Sequence, residues 1–400
     1  MRTGQTHLFI PGPTNVPEDV RRAMNVPMQD MRATDFGDLT LSLFTDLRTV
    51  FGTETAQVFL FPGSGTGAWE AAITNTLNPG DKVLMARHGQ FSALWIQMAE
   101  RLGLNVEVVD APWGEGLPVA EFVRILGDDR YDEIKAVFVT HNETATGVTS
   151  DIAAARRALD TCFHEALLFV DGVSSIASMP FLMDEWEVDL AVTGSQKGLM
   201  CPPGLGILAV SQKAMAASET STMRRACFEF ADMVQMNADG QFPYTPPTQL
   251  LHGLKAALAR LNAEGLPNVF ARHHRLAEGI RRGIAAWGLS LAAQRKDEYS
   301  DTVSAICLPD TVDARDVLRI AYDEHNASFG SGLGPLTGRV FRIGHLGDLN
   351  EGMCLTALGI AEMALYRAGV PIQLGSGTGA AQAHFAAGAD VRPVLRIAAE

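Results

Sequence analysis

The chain has 400 residues, of which 47% are hydrophobic and 20% charged, with a mean hydropathy of +0.07 and a formal net charge of −14 at pH 7. That length exceeds what one hydrophobic core usually organises, so two packed units are expected, and no polar tract is long enough for extended disorder. The acidic balance without a run of Lys and Arg excludes a nucleic-acid footprint, no segment approaches a membrane-spanning apolar length, and five scattered cysteines (Cys162, Cys201, Cys227, Cys307, Cys354) without a CxxC pair offer neither a disulfide framework nor a zinc site.

The opening "MRTGQTHLFIPGPTNVP" holds no apolar run of signal-peptide length, and "RIAAE" is not a peroxisomal address. A reducing cytoplasm is therefore the expected location. Between residues 57 and 210 short apolar or β-branched runs recur: "QVFLF", "KVLMA", "NVEVV", "KAVFV", "ALLFV", "DLAVTG" and "GILAV". Stretches with helical spacing of apolar residues separate most of them, among them "GAWEAAITNTL", "QFSALWIQMAERLG", "PVAEFVRILGD" and "DIAAARRALDTCF". Such alternation predicts a doubly wound, mainly parallel sheet. After about residue 250 the pattern changes to two long helical stretches, then "TVSAICLPD", a helix from about 313, and "RVFRIGHLG". The expected division is a large α/β unit with an N-terminal arm over residues 1–250, and a linking helix, a small α+β unit and a tail over 251–400.

In an open α/β sheet, ligands sit outside the carboxyl ends of the strands, so the residues just after each run are the candidates for chemistry. After "QVFLF" comes "PGSGTGAWEAA", small residues leading into a helix whose free N–H groups and dipole suit a phosphate. "GSGTG" recurs at 375–379, beyond the alternating strands, where it reads as a turn or a helix start. Ser64, Gly65 and Thr66 are accordingly taken as the cradle. Asp171 ends "ALLFVD", and a carboxylate at the end of a buried strand requires a cation or several donors unless it merely caps a helix. Lys197 follows "DLAVTGSQ", and an amine in a site of low dielectric loses basicity and becomes a nucleophile toward aldehydes. Cradle, carboxylate and lysine together meet the needs of pyridoxal 5'-phosphate.

With these residues in place, the chain resembles the class V, fold type I aminotransferases, and within them the serine:glyoxylate and alanine:glyoxylate aminotransferase family. The likeness runs from "FIPGPTNVP" to "FRIGHLGDLNE" and is most specific in "THNETATGV", "FVDGVSS", "TGSQKG" with "PPG", and "FRIGHLG". The resemblance implies that Lys197 anchors the cofactor beside Gln196, that Asp171 faces its pyridine nitrogen, and that Ser64, Gly65 and Thr66 hold its phosphate. Many relatives carry histidine or a related residue where this chain has Thr66. It further implies that Phe91 stacks on the ring, with Trp95 and His88 as neighbouring rivals, and that Thr144 meets the ring hydroxyl. Tyr244, Thr245 and Thr248 would reach the phosphate of a second subunit, making a homodimer with shared sites. Arg342 would bind the substrate carboxylate, and Asn15 in "PGPTN" would lie over the substrate.

The activity so implied is transfer of an amino group from an amino acid, serine favoured, to glyoxylate, with aspartate or alanine as alternative donors. Arg32 and Arg87 are extra cations that would suit an acidic donor. Lyase or desulfurase chemistry on the same cofactor is the remote alternative, since Cys307 and Cys354 lie in strand-like and helix-like runs rather than on a loop. A nicotinamide site is excluded by pattern, because "GSGTGA" lacks the third glycine at the required spacing. A binding module that has lost its chemistry would lack the lysine, aspartate and arginine that are present here.

Overall fold

Alternation of apolar and helical segments builds the larger part of the molecule. The computed structural model describes residues 4–387, in which β1 (His7–Phe9), α1 (Glu18–Met24) and α2 (Thr34–Phe51) come first. There follow β2 (Gln57–Gly63), α3 (Gly65–Thr76), β3 (Lys82–Arg87), α4 (Gln90–Arg101), β4 (Asn105–Asp110), α5 (Val119–Asp128) and β5 (Ile134–Thr140). A short hairpin of β6 (Asn142–Glu143) and β7 (Val148–Thr149) leads to α6 (Ile152–Thr161), β8 (Leu167–Asp171), β9 (Leu190–Gly194) and β10 (Gly204–Val210). Each of the seven apolar runs forms a strand of one sheet, ordered β2-β10-β9-β8-β5-β3-β4.

Pairing is parallel from β9 to β4, whereas β10 runs antiparallel to both of its neighbours. A parallel crossover takes a dozen or more residues, and the link over 195–203 is too short for one. Every residue of β8 and β9 is buried, as expected of strands covered on both faces, while the edge strand β4 is only half-buried. The covering helices turn one face inward: in α5 the buried residues are Phe122, Ile125 and Leu126, spaced for a single helical stripe.

The rest of the chain comprises α7 (Gln212–Ser218), α8 (Phe230–Asn237), α9 (Thr248–Glu264), α10 (Leu266–Ala286), β11 (Ser290–Leu291), β12 (Val303–Cys307), α11 (Ala314–His325), β13 (Ala327–Ser331), β14 (Val340–Gly344), α12 (Glu351–Arg367) and α13 (Ser376–Ala386). A second sheet is ordered β1-β13-β14-β12-β11. Two hydrophobic cores result. Val269 of α10 belongs to the first, and Leu276 of the same helix belongs to the second together with Phe9 of β1. The changeover thus falls inside a helix roughly 30 Å long, and the first strand of the chain pairs with one of the last. Among the described residues no helix is long and apolar enough to cross a membrane.

The repeated "GSGTG" shows how context decides the use of a motif. At its second occurrence Gly375 precedes α13, and Glu362 of α12 fills that helix start: its carboxylate accepts from Gly377 N–H (2.6 Å), Gly375 N–H (3.1 Å) and Thr378 Oγ1 (3.2 Å), and from Trp287 Nε1 (2.9 Å). At the first occurrence Ser64 makes no capping hydrogen bond, and among the described residues no side chain accepts from the Gly65, Thr66 or Gly67 N–H. One helix start is satisfied from within the chain and the other is open. Replacing Glu362 strands two buried donors, Gly377 N–H and Trp287 Nε1, and frees two part-buried ones, so Glu362→Ala should lower unfolding stability by about 3 kcal/mol, measured by urea denaturation, with no loss of pyridoxal phosphate binding.

Candidate active site

Strands β2, β3, β5, β8 and β9 all end at one edge of the large sheet, and each delivers its candidate there. The open turn of α3 follows β2, with Ser64 half-buried and Thr66 exposed. Parallel pairing of β8 with β9, Asp171 opposite Val192, brings Asp171 and the segment bearing Lys197 side by side. Asp171 is 5% exposed and forms no ion pair among the described residues. Its Oδ1 accepts the Val173 N–H at 2.9 Å, and the Trp69 indole N–H approaches without closing a hydrogen bond. Burial pushes the carboxyl up to about 7, and the neighbouring Glu143 carboxylate adds to the rise.

Lys197 shows the opposite response to the same environment. Burial, and secondly the charge of Arg342, lowers its amine to about 8, against the pull of Asp171. Its Nζ donates to the Pro11 carbonyl, so the N-terminal segment lies directly on the lysine. Thr14 fastens that segment with its N–H on Gln196 O (3.1 Å) and its Oγ1 on Lys197 O (3.1 Å). Gly12, at φ +107°, has a hydrogen where any other residue would place a carbon on the Lys197 side chain. The "PGPTN" backbone therefore covers the lysine, and the Asn15 amide donates to Leu8 O at 3.0 Å.

Arg342 in β14 is 6% exposed. Its Nε donates to Ser331 O and its Nη1 to Thr144 O, each at 2.9 Å, and Nη2 has no protein partner among the described residues. The ion pair with an acidic neighbour that would give it a purely structural role is not formed. Burial brings its guanidinium down to about 10, still charged at neutral pH. Thr144 Oγ1 donates to Ser174 Oγ at 2.8 Å, and Gln196 Oε1 is buried without a hydrogen bond. Phe91 is half-buried at the start of α4, whereas Trp95, one turn on, is 1% exposed and stacked on Trp69 at 5.5 Å. Trp95 is thus core packing; His88 is buried and held neutral, lowered by burial to about 4.

Other candidates lie farther out. Tyr244 is 37% exposed with its hydroxyl on Ala226 O (2.6 Å), Thr245 is exposed, and Thr248 is buried at the first turn of α9. Arg87 is engaged with Asp110 (2.6 and 2.9 Å), and Arg32 is exposed. Glu143 is the residue that sequence reasoning passed over, although it lies inside "THNETATGV". It is 0% exposed and exerts its charge on both Asp171 and Arg342. The available signal was an acid in an otherwise small and polar stretch following a buried strand.

This donor set fits pyridoxal 5'-phosphate. An open helix start suits the phosphate, the orphaned Gln196 oxygen awaits a partner, a buried carboxyl with no cation of its own suits the pyridine nitrogen, and a lysine of lowered basicity suits the aldehyde.

Comparison with known proteins agrees with this chemistry. The Aminotransferase class-V family model matches residues 8–334. The chain is 58% identical to a serine–glyoxylate aminotransferase of Hyphomicrobium methylovorum over 95% of its length and 94% of that protein. It is 55% identical to an L-aspartate–glyoxylate aminotransferase of Paracoccus denitrificans over 96% and 97% of the two chains. Among solved structures, pyridoxamine–pyruvate aminotransferase from Mesorhizobium loti superposes with a TM-score of 0.90 at 27% identity, covering 97% of this chain and 100% of that one. An open turn with a neighbouring lysine and aspartate at one sheet edge, and a buried arginine of the second sheet close to that lysine, thus coincide with relatedness along nearly the whole length: the chain belongs to the class V aminotransferases, pyridoxal phosphate enzymes of fold type I.

Proposed function

We propose that this enzyme transfers the amino group of serine to glyoxylate, giving glycine and a 2-keto acid. The observation that carries the reading is Arg342: a buried guanidinium with an unengaged Nη2, near enough to Lys197 to depress its amine, is placed to hold an α-carboxylate beside the base. The serine– and aspartate–glyoxylate names of the two relatives support glyoxylate as acceptor and leave two donors in contention. Among the described residues Arg342 is the one cation whose charge lowers the Lys197 amine, while Arg87 pairs with Asp110, which favours a donor with a single carboxylate. For desulfurase chemistry the candidate thiols are unsuited: Cys307 ends β12, and Cys354 lies in α12 with its thiol pushed up to about 12 by burial.

Bound pyridoxal phosphate supplies an electron-withdrawing ring that delocalises the charge left when the substrate's α-proton departs. The chain's residues do the rest. Arg342 fixes the carboxylate and so orients the α-carbon. Lys197, the covalent anchor in the resting enzyme, then serves at Nζ as the base that takes the α-proton and as the acid that returns it, a role its lowered basicity suits. Asp171, as the carboxylate, would keep a proton on the ring nitrogen of the bound cofactor. Pro11 and Gly12 close the crevice over Lys197 and keep water away.

The exposure of Tyr244 and Thr245 supports the reading that they reach into the site of a second subunit, so the working form is a homodimer. All five cysteines are free thiols, consistent with a cytoplasmic enzyme.

The purified protein supplemented with pyridoxal phosphate should be yellow, and adding serine, aspartate or alanine singly should bleach that absorbance fastest with serine; faster bleaching by aspartate overturns the donor assignment. Lys197→Ala should lose the colour and turnover while keeping its circular dichroism. Arg342→Ala should raise KM for both amino donor and glyoxylate by about 100-fold in steady-state assays, with Arg342→Lys recovering only part.

Lys197 also makes a stability prediction. With a folded amine pKa of about 8 against 10.5 unfolded, the burial penalty is full below pH 8, fades as pH rises from 8 to 10.5, and is absent above. At pH 6 Asp171 is largely neutral in the folded chain, so losing its positive neighbour matters little. Cofactor-free Lys197→Met should therefore be more stable than the cofactor-free parent at pH 6, by up to about 3 kcal/mol, with the gap closing toward pH 10.5 in thermal melts. Equal melting at pH 6 would show that the lysine is not held under this penalty.

A further inference from the structure

Glu143 is fully buried and is given no step in the chemistry just described. No cation pairs with it among the described residues. Its carboxylate is instead met by three backbone donors: Oε2 accepts from Phe91 N–H and Ser92 N–H, and Oε1 from Ala145 N–H, each at 3.0 Å. The first two belong to the opening turn of α4, whose N-cap is Gly89, a residue with no side chain to do that work. A carbon on Gly89 would fall on the Glu143 side chain, so the absence of a cap is what lets the carboxylate in. Ser92 Oγ accepts from Gly89 N–H (3.0 Å) and completes the turn.

The third donor ties the same carboxylate to the loop after β6. There the Thr144 carbonyl holds Arg342, and the Thr144 hydroxyl holds Ser174. Glu143 thus joins the backbone that carries the Phe91 ring to the backbone that carries Thr144. A negative charge at a helix N-terminus, shielded from water, gives such bonds their full strength. Burial raises the carboxyl above its ordinary value, and these N–H groups hold that rise back.

We propose that Glu143 is the positioning residue that aims the Phe91 ring at the bound cofactor, acting through the first turn of α4. The proposal rests on the reading of Phe91 as the stacking ring. Glu143→Gln keeps the shape but turns an amide N–H toward a backbone N–H, either that of Ala145 or the Phe91–Ser92 pair. The cofactor-free protein is titrated with pyridoxal phosphate, following quenching of tryptophan fluorescence, for the parent, Glu143→Gln, Phe91→Ala and the double variant, with cofactor-free thermal melts to establish that each is folded. Expected are weaker binding by about tenfold for each single variant and no further weakening in the double variant beyond Phe91→Ala alone.

Additive losses in the double variant, or unchanged affinity in a folded Glu143→Gln, overturn the proposal. If Phe91→Ala alone binds as tightly as the parent, the stacking assignment itself has failed, and the positioning role falls with it. Should Glu143→Gln not fold, Ser92→Ala and Gly89→Ala disturb the same turn from the other side. Each should then weaken binding in the parent and not in Phe91→Ala, and additivity there overturns the proposal equally.

Discussion

The Lys197 amine and the Asp171 carboxyl lie near one another in a crevice where burial opposes both charges, and most of the architecture can be understood as holding them there. Each is displaced toward neutrality, the amine down to about 8 and the carboxyl up to about 7. No ion pair joins them, so each charge offsets only part of the other's burial penalty. Keeping them apart takes a rigid frame. The frame is two adjacent parallel strands, every residue of which is buried.

The lid over that crevice comes from the far end of the chain's topology. Because β1 pairs with β13 in the second sheet, the residues after it run across the edge of the first, and the Pro11 carbonyl arrives on Lys197. Arg342 comes from β14 of that same second sheet and anchors to Thr144 of the first unit. The crevice around Lys197 is therefore a product of the joint between two cores, with α10 contributing to both. Its walls are elements distant in sequence, held together by contacts such as that of Arg342 on the Thr144 carbonyl.

Much of this was legible in the order of residues. The seven apolar runs are strands since each is β-rich and bounded by turns, and the helices between them repeat apolar residues at helical spacing. Lys197, Asp171 and the first "GSGTG" could be grouped because ligands in such sheets gather at the carboxyl ends of strands, a rule that turns strand order into proximity. Arg342 stood out as a lone cation in an apolar strand. The bond of the Asn15 amide to Leu8 O could not be read there. Hydrogen-bond partners of a short polar side chain depend on backbone a few ångströms away, which no spacing rule supplies.

By itself, then, the order of residues determined the secondary structure, the class of sheet and the residue types able to bind and activate a cofactor, because those follow from local periodicity and from chemistry intrinsic to each side chain. Only the tertiary structure decided which of two identical "GSGTG" turns is open. One helix start is filled by Glu362 from α12, and the other faces the crevice with its donors unclaimed. The tertiary structure likewise gave Glu143 its place beneath Phe91 and β10 its reversed direction. In each case the outcome turns on what a distant segment brings within hydrogen-bonding reach or on how far a link can span, and those are properties of the folded path rather than of any stretch along it.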